Sequence, residues 1–289
     1  MGYDLKGKNI VVTGATSGIG LAAVRLFVSA GAFVVGVGRS EERNQRAKEG
    51  ILSDFPQGQV EYLLANLESQ AQVRSLSNNI AKLISKRGDN HLDVLVNNAG
   101  AYFAKKQLTE DGVERTFAIN HLAPFLLTYE LLQLLLNAEQ GRVLAVSSYS
   151  HRTTPLCLSR IANPWPHISL MAYKRSKLCN VLFTYAINRR YDQLRAFAVD
   201  PGLVNTSIAS KGGNGISHWV WRFRRNQGTP ADVPAQTILY LSAEKEIDTS
   251  QGYYFKDSRP LTSSPKSRRA DLAEKLWALS CRLTGVSWE

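Results

Sequence analysis

The stretch Asn9-Ile10-Val11-Val12-Thr13-Gly14-Ala15-Thr16-Ser17-Gly18-Ile19-Gly20 restricts the folds open to this chain more than any other. Ile10 to Val12 is an apolar run suited to a buried strand. Three glycines follow, and Leu21, Val24, Phe27 and Val28 then recur at helical spacing. The order strand, glycine turn, helix predicts a phosphate-binding unit. Glycine has no Cβ and accepts positive φ, so the backbone can pass close to a ligand. The helix that follows presents free N–H groups and the positive end of its dipole to an anion. The spacing, Gly14-x-x-x-Gly18-x-Gly20, departs from the common G-x-G-x-x-G fingerprint. Taken alone it also reads as a plain glycine turn.

Downstream, strands and helices alternate. Ala32 to Val37 reads as a second buried strand, ending at Gly38-Arg39-Ser40, and Glu41 to Leu52 as a helix. Val60 to Ala65 is a third strand, followed by Asn66-Leu67. Ala71 to Lys86 is amphipathic, with Val73, Leu76, Ile80, Leu83 and Ile84 on one side. Leu92 to Val96 is a fourth strand running into Asn97-Asn98-Ala99-Gly100. Thr109 to Asn137 reads as one long helical region kinked at Pro124. It encloses a polar Asn120 among Phe117, Ile119 and Leu122. Arg142 to Val146 is a fifth strand ending in Ser147-Ser148. In Tyr173-Lys174-Arg175-Ser176-Lys177 the phenol and the ammonium stand four residues apart, on one helical face. That helix continues to Ile187. A sixth strand, Ala196 to Val199, ends in Asp200-Pro201-Gly202, with Thr206 four residues beyond Gly202. Pro230 to Ser242 reads as a helix, Gly252 to Phe255 as a last strand, and Lys266 to Leu283 as an amphipathic tail helix.

In order along the chain, the glycine loop, Asn97-Asn98-Ala99-Gly100, Asn120, the serine pair and Tyr173-x-x-x-Lys177 resemble the short-chain dehydrogenase/reductase superfamily. The resemblance covers residues 5 to 255 and, loosely, the tail. It implies an α/β fold, a single-domain Rossmann-like doubly wound parallel sheet with helices on both faces. It also implies a nicotinamide dinucleotide as cofactor. Gly14, Ser17, Gly18, Ile19, Gly20, Asn66, Leu67, Asn98, Ala99, Gly100, Tyr173, Lys177, Pro201, Gly202 and Thr206 are the expected cofactor contacts. The family usually carries an aspartate where Asn66 stands, so the adenine contact there is altered. Arg39 stands at the strand end, where an acidic residue would select NAD and an arginine admits the 2′-phosphate of NADP. The expectation is therefore NADP(H) over NAD(H), with Arg43 and Arg46 adding positive field.

The expected chemistry follows from the same residues. Tyr173 passes a proton to or from the substrate oxygen. Lys177 lowers its pKa by favouring the phenolate and, as the resemblance implies, holds the nicotinamide ribose. Ser148, with Ser147 as the alternative, hydrogen-bonds the substrate oxygen. Asn120 positions Lys177 through water. No metal is expected. A gap of 25 residues separates Ser148 from Tyr173, longer than the family norm. This insert and the stretch Leu108-Thr109-Glu110-Asp111-Gly112 resemble the retinol-dehydrogenase-like branch. His151 and His167, within the insert, are expected on a loop or beside substrate.

Composition narrows the alternatives. The 289 residues suffice for one large domain, expected to span 1–289 with a helical tail at 266–284; the resemblance implies a substrate lid near 207–229. Cys157, Cys179 and Cys281 are scattered, which suits a reducing compartment and neither a disulfide framework nor a metal cluster. No apolar run is long enough to cross a bilayer, and Asp4, Lys6 and Lys8 interrupt the start, so the expected location is cytoplasmic. The net charge of +11 is dispersed and no nucleic-acid recognition motif occurs, so nucleic acid is not an expected partner. The expected partner is a small carbonyl or alcohol compound. Peripheral contact with a membrane surface, and a homodimer, remain open. Trp219, Trp221 and Phe223, interleaved with Arg222, Arg224 and Arg225 after Gly212-Gly213-Asn214-Gly215, would line the lid and favour a lipophilic substrate. A non-catalytic NADP-binding sensor or scaffold on the same fold is the rival reading.

Overall fold

The strands are apolar on both sides because both sides are covered. In β1 (Asn9–Thr13), Val11 enters one core layer while Ile10 and Val12 enter the other. In β2 (Phe33–Gly38), Phe33, Val35 and Val37 face the first layer and Val34 the second. A strand alternates its side chains, so a continuous apolar run is stable only where helices pack on both faces. With β3 (Gln59–Leu64), β4 (Val94–Asn97), β5 (Gly141–Val146), β6 (Leu194–Val199), β7 (Tyr254–Lys256) and β8 (Arg259–Pro260) these form one sheet in the order 3-2-1-4-5-6-7-8. All neighbours are parallel except β7 and β8, which are antiparallel. The structure, a computed structural model, describes residues 2–203 and 229–288.

One face of the sheet is covered by α1 (Gly18–Ser29), α2 (Glu41–Asp54) and α6 (Asp232–Ala243). The other is covered by α3 (Gln70–Lys86), α4 (Ala123–Glu130), α5 (Ser169–Arg190) and α7 (Ala270–Thr284). Beside α5 an aromatic cluster closes the first layer, with Trp277 and Trp288 4.3 Å apart between ring centroids and Phe125 4.8 Å from Trp288. The doubly wound sheet expected from the sequence is therefore present. Strand order reverses between β1 and β4, and α/β folds bind ligands in the crevice beyond the carboxyl ends of the strands at such a point.

Two boundaries differ from expectation. The helix expected from Thr109 begins only at Arg115. Gly112, at φ 74, closes a turn in which the Thr109 N–H meets the Val113 carbonyl, and the Glu114 carboxylate then caps the helix at Thr116 and Phe117. The break in that region is a π-helical turn, Ala118–Leu122, rather than a kink at Pro124, which simply sits in the first turn of α4. The tail helix starts at Ala270, because Ser264 caps a separate 3₁₀ turn, Pro265–Arg268. Asn205, Thr206 and the aromatic and basic stretch 207–228 lie outside the described residues, so the expectations placed on them stand untested.

Candidate active site

The reversal point holds a cleft of about 690 Å³, lined by the glycine loop, the ends of β2 and β3, and Asn98 to Ala101. Local sequence explains the loop. Gly14 and Gly18 sit at φ 67 and 54, which a side chain would strain. Gly20 works differently, since a Cβ there would stand 2.3 Å from the Gly14 carbonyl oxygen and 2.5 Å from Asn98 Nδ2. It lies buried beneath the loop and outside the cleft lining, so the contact expected of it is one of packing. Ser17, at the N-cap of α1, makes no side-chain cap bond, whereas Ser40 and Ser69 cap α2 and α3. The first turn of α1 thus keeps its N–H groups for an anion in the cleft.

Asn98 ties the loop to β4. Its Nδ2 donates to the carbonyls of Thr13 (2.8 Å) and Gly14 (3.3 Å). The backbone N–H groups of Asn98 and Ala99 both donate to Thr13 Oγ1 at 3.0 Å. Thr13 is thus a pin between the two strand ends. Its only signal in the sequence is a hydroxyl closing an apolar strand. Arg39 is exposed on the cleft wall with Arg43 beside it, while Glu42 is paired with Arg46 at 2.6 Å. Ser17, Gly18, Ile19, Asn66, Leu67 and Gly100 all line the cleft. Asn66 Oδ1 accepts from the Glu68 N–H at 3.2 Å.

The far end of this crevice is built from buried polar groups. Lys177 is 4% exposed, and its Nζ donates to the Val146 carbonyl at 2.9 Å, 5.7 Å from the centroid of the Tyr173 ring. Gly100 leaves room for it, since a Cβ there would lie 3.3 Å from that ammonium. Asn120 is fully buried in the π-helical turn. Its Oδ1 accepts from the Ala101 N–H (2.7 Å), and its Nδ2 donates to the Ala101 carbonyl and to Ser176 Oγ, both at 3.0 Å. It braces the strand-β4 turn against α5 and makes no direct bond to Lys177.

The two serines have different partners. Ser147 Oγ is committed to the Lys177 carbonyl at 2.9 Å. Ser148 is the one that hydrogen-bonds Tyr173. Burial pushes the Tyr173 phenol up to about 12, the Ser148 bond works against that rise, and the Asp200 carboxylate adds to it. Burial pulls the Lys177 ammonium down to about 8. The Tyr173 phenol is thus raised rather than lowered, because desolvation exceeds the opposing pull of the Ser148 bond. Tyr102, unremarked in the sequence, packs edge-on to Tyr173 at 6.2 Å and bonds Ser169 Oγ at 2.8 Å. Pro201 and Gly202 follow β6, with the Gly202 N–H donating to Asp200 Oδ1 at 3.0 Å. His151 lies in the short 3₁₀ turn that follows Ser148 and is buried, 1% exposed. His167 stands 3.6 Å from the buried Glu114 carboxylate.

Comparison with known proteins meets this geometry. Residues 8–215 match the short chain dehydrogenase family. Retinol dehydrogenase 12 of Mus musculus is 31% identical over 288 residues, covering 99% of this chain and 89% of that protein. WW domain-containing oxidoreductase of Homo sapiens is 34% identical over 296 residues, covering 98% of this chain and 69% of that protein. A crystal structure of an uncharacterised protein from Mycobacterium Paratuberculosis superposes with a TM-score of 0.76 at 29% identity, covering 99% of this chain and 97% of that one. Matches of this extent run through the glycine loop and the buried wall alike, and the chain belongs to the short-chain dehydrogenases, nicotinamide-dependent oxidoreductases, on their retinol-dehydrogenase-like side.

Proposed function

We propose that the whole chain acts as one NADP(H)-dependent domain that interconverts a carbonyl and an alcohol on a lipophilic compound. The observation that carries the reading is the convergence of Ser148, Tyr173 and Lys177 next to Gly100, which lines the cleft. The cofactor, when bound, supplies hydride chemistry. The residues present fit it: the uncapped α1 N-terminus would take the pyrophosphate, and Lys177 beside Gly100 would hold the nicotinamide ribose. Pro201 and Gly202, just after β6, would border the nicotinamide. Tyr173, protonated at neutral pH, gives its proton to the reacting oxygen in reduction, while the Ser148 hydroxyl holds that oxygen in line. Asn120 keeps the Ala101 turn and Ser176 in place behind Lys177.

Arg39 supports NADP over NAD: it is exposed in the cleft, has no carboxylate partner among the described residues, and has Arg43 beside it. The lipophilic substrate is supported by the insert, where Tyr149, Trp165, Ile168 and Leu170 are 65%, 77%, 58% and 43% exposed between Ser148 and Tyr173. That apolar rim, with Arg152, Arg160, Lys174 and Arg175 among it and no acidic residue from 140 to 191, also suits peripheral contact with an anionic membrane surface. No helix among the described residues is long and apolar enough to cross a membrane. A panel of aldehydes and ketones, followed by NADPH absorbance, tests the reading. Bulky apolar carbonyls are expected to turn over faster than sugars or hydroxy acids. Equal rates on small polar substrates would remove the lipophilic assignment.

A further inference from the structure

Three residues after Ser148 the chain buries a histidine that the chemistry above does not use. His151 lies in the 3₁₀ turn Tyr149–Thr153, 1% exposed. Its backbone N–H and its Nδ1 both meet the Ser148 carbonyl, at 3.1 and 2.8 Å. Its Nε2 lies 3.2 Å from the backbone N–H of Ser264. A backbone N–H can only donate, so Nε2 is the acceptor and the proton sits on Nδ1. The ring is therefore a neutral, single tautomer that donates to Ser148 and accepts from the C-terminal segment. Burial favours the same neutral form.

The surroundings hold the ring in place. Its face packs on Tyr254, 4.8 Å between centroids. The Tyr254 hydroxyl donates to Asp200 Oδ2 at 2.6 Å, and Asp200 Oδ1 takes the Gly202 N–H. Two further bonds clamp the C-terminal segment onto the insert: Arg152 Nη2 to the Thr262 carbonyl (2.6 Å) and Lys266 Nζ to the Thr154 carbonyl (2.9 Å). His151 thus joins three parts of the chain: Ser148 just beyond β5, the end of β6 through Tyr254, and the C-terminal segment at Ser264.

We propose that His151 is a positioning residue for Ser148, fixing the Ser148–Tyr149 peptide from a histidine tautomer that the Ser264 amide selects. Ser148 sits in extended backbone, φ −169 and ψ 151, as the last residue before the turn. Two hydrogen bonds on its carbonyl set that peptide plane, and the plane sets where the hydroxyl meets Tyr173. Small displacements at such a site carry large rate effects. The inference rests on the proposed role of Ser148, and its test separates the two.

The variants are His151→Phe, which keeps the ring packing and loses both nitrogens, and His151→Asn, whose amide can still donate to the Ser148 carbonyl. kcat and KM are measured on a carbonyl compound turned over in the panel, at saturating NADPH, with NADPH affinity measured by titration. His151→Phe should lower kcat about tenfold or more, leave NADPH affinity within about twofold, and be largely rescued in His151→Asn. In a Ser148→Ala background, His151→Phe should lower kcat no further, because a residue acting through another shows non-additive loss. Wild-type kcat in His151→Phe, or an undiminished second loss in the double variant, overturns the inference. Wild-type turnover in Ser148→Ala overturns the reading of Ser148 and the inference with it; loss in Ser148→Ala with none in His151→Phe overturns the inference alone. Should His151→Phe not fold, Ser264→Pro against Ser264→Ala decides. Ser264 has φ −63, which proline accepts, so the pair differs chiefly in the amide proton. A lower kcat in the proline variant supports the tautomer lock, and equal values overturn it.

Discussion

The two ends of the crevice are made of different material. At the nucleotide end the groups that face the cleft are backbone amides, glycines, and exposed side chains such as Arg39 and Asn66. At the reaction end they are side chains that are nearly all buried: Asn120 at 0%, Ser147 at 1%, Lys177 at 4% and Tyr173 at 7%. Backbone presents a shape and a dipole and changes little with its surroundings. A buried side chain must be paired, and its pKa is set by what surrounds it. The first end is built to bind and the second to hold protons in place, so substitutions at the two should separate into losses of affinity and losses of turnover.

The largest separation is expected at Tyr173→Phe. The change removes one hydroxyl, the one that Ser148 meets, and leaves the ring against Tyr102. Turnover should fall by about 10²-fold or more, the range of a lost acid–base group. NADPH affinity should stay within about threefold. If the affinity falls with the turnover, the two ends are not separable and the comparison fails.

Gly20→Ala probes the other end. A methyl 2.3 Å from the Gly14 carbonyl oxygen forces the loop or α1 to move. Overpacking of this kind costs about 1–3 kcal/mol. NADPH and NADH should weaken together, by about tenfold or more, while kcat at saturating cofactor stays near the wild-type value. A variant with normal affinity and low kcat would place Gly20 in the wrong half.

Arg39→Asp sharpens the comparison within the nucleotide end, where a single exposed side chain is asked to choose the cofactor. A hydrogen bond to a charged group contributes about 1.5–3 kcal/mol. The NADPH-to-NADH affinity ratio should therefore drop by at least about tenfold, with kcat on NADPH nearly kept. Equal wild-type affinity for the two cofactors, read by fluorescence titration, removes the NADP preference.

The contrast also explains what could be read in advance. Backbone-built features leave spacing in the sequence: Gly14, Gly18 and Gly20, the turn Asn97 to Gly100, and the strands that locate them. Lys177 and Tyr173 were legible because four residues make one helical turn. Their partners were not. Ser147 reaches the Lys177 carbonyl, Asn120 reaches Ala101 and Ser176, and His151 reaches Ser264, each across a distance that only folding closes. The rise in the Tyr173 pKa is hidden for the same reason, since that ring is buried against residues such as Tyr102 that lie far off in the chain. The helix start at Arg115 was misjudged because Glu110-Asp111-Gly112 suits a first helical turn by composition, while Gly112 at positive φ makes it a separate turn.

The smallest expected effect comes from the buried cation itself. Lys177 is held near pKa 8 by desolvation, against about 10.5 for a lysine in the unfolded chain. Between those values the unfolded chain binds more protons than the folded one, so this residue's contribution to stability rises as pH rises from about 8 toward about 10.5. Below about 8 the cost of burying the charge is present in full. Lys177→Met removes that cost, and the Val146 carbonyl it leaves still receives Asn180 Nδ2 at 3.3 Å. The variant should lose turnover yet unfold at an equal or higher temperature than wild type at pH 7, by a few degrees, since about 1 kcal/mol corresponds to roughly 2–4 °C in a domain of 150–250 residues. The advantage should shrink by pH 10, where the wild-type lysine is largely neutral in the folded chain. Thermal unfolding of both proteins at pH 7 and pH 10 reads the difference directly, because other groups that titrate in that range are common to the two. A variant less stable than wild type by the same amount at both pH values would mean that Lys177 carries no burial penalty, and that the reaction end of the crevice is as open to solvent as the nucleotide end.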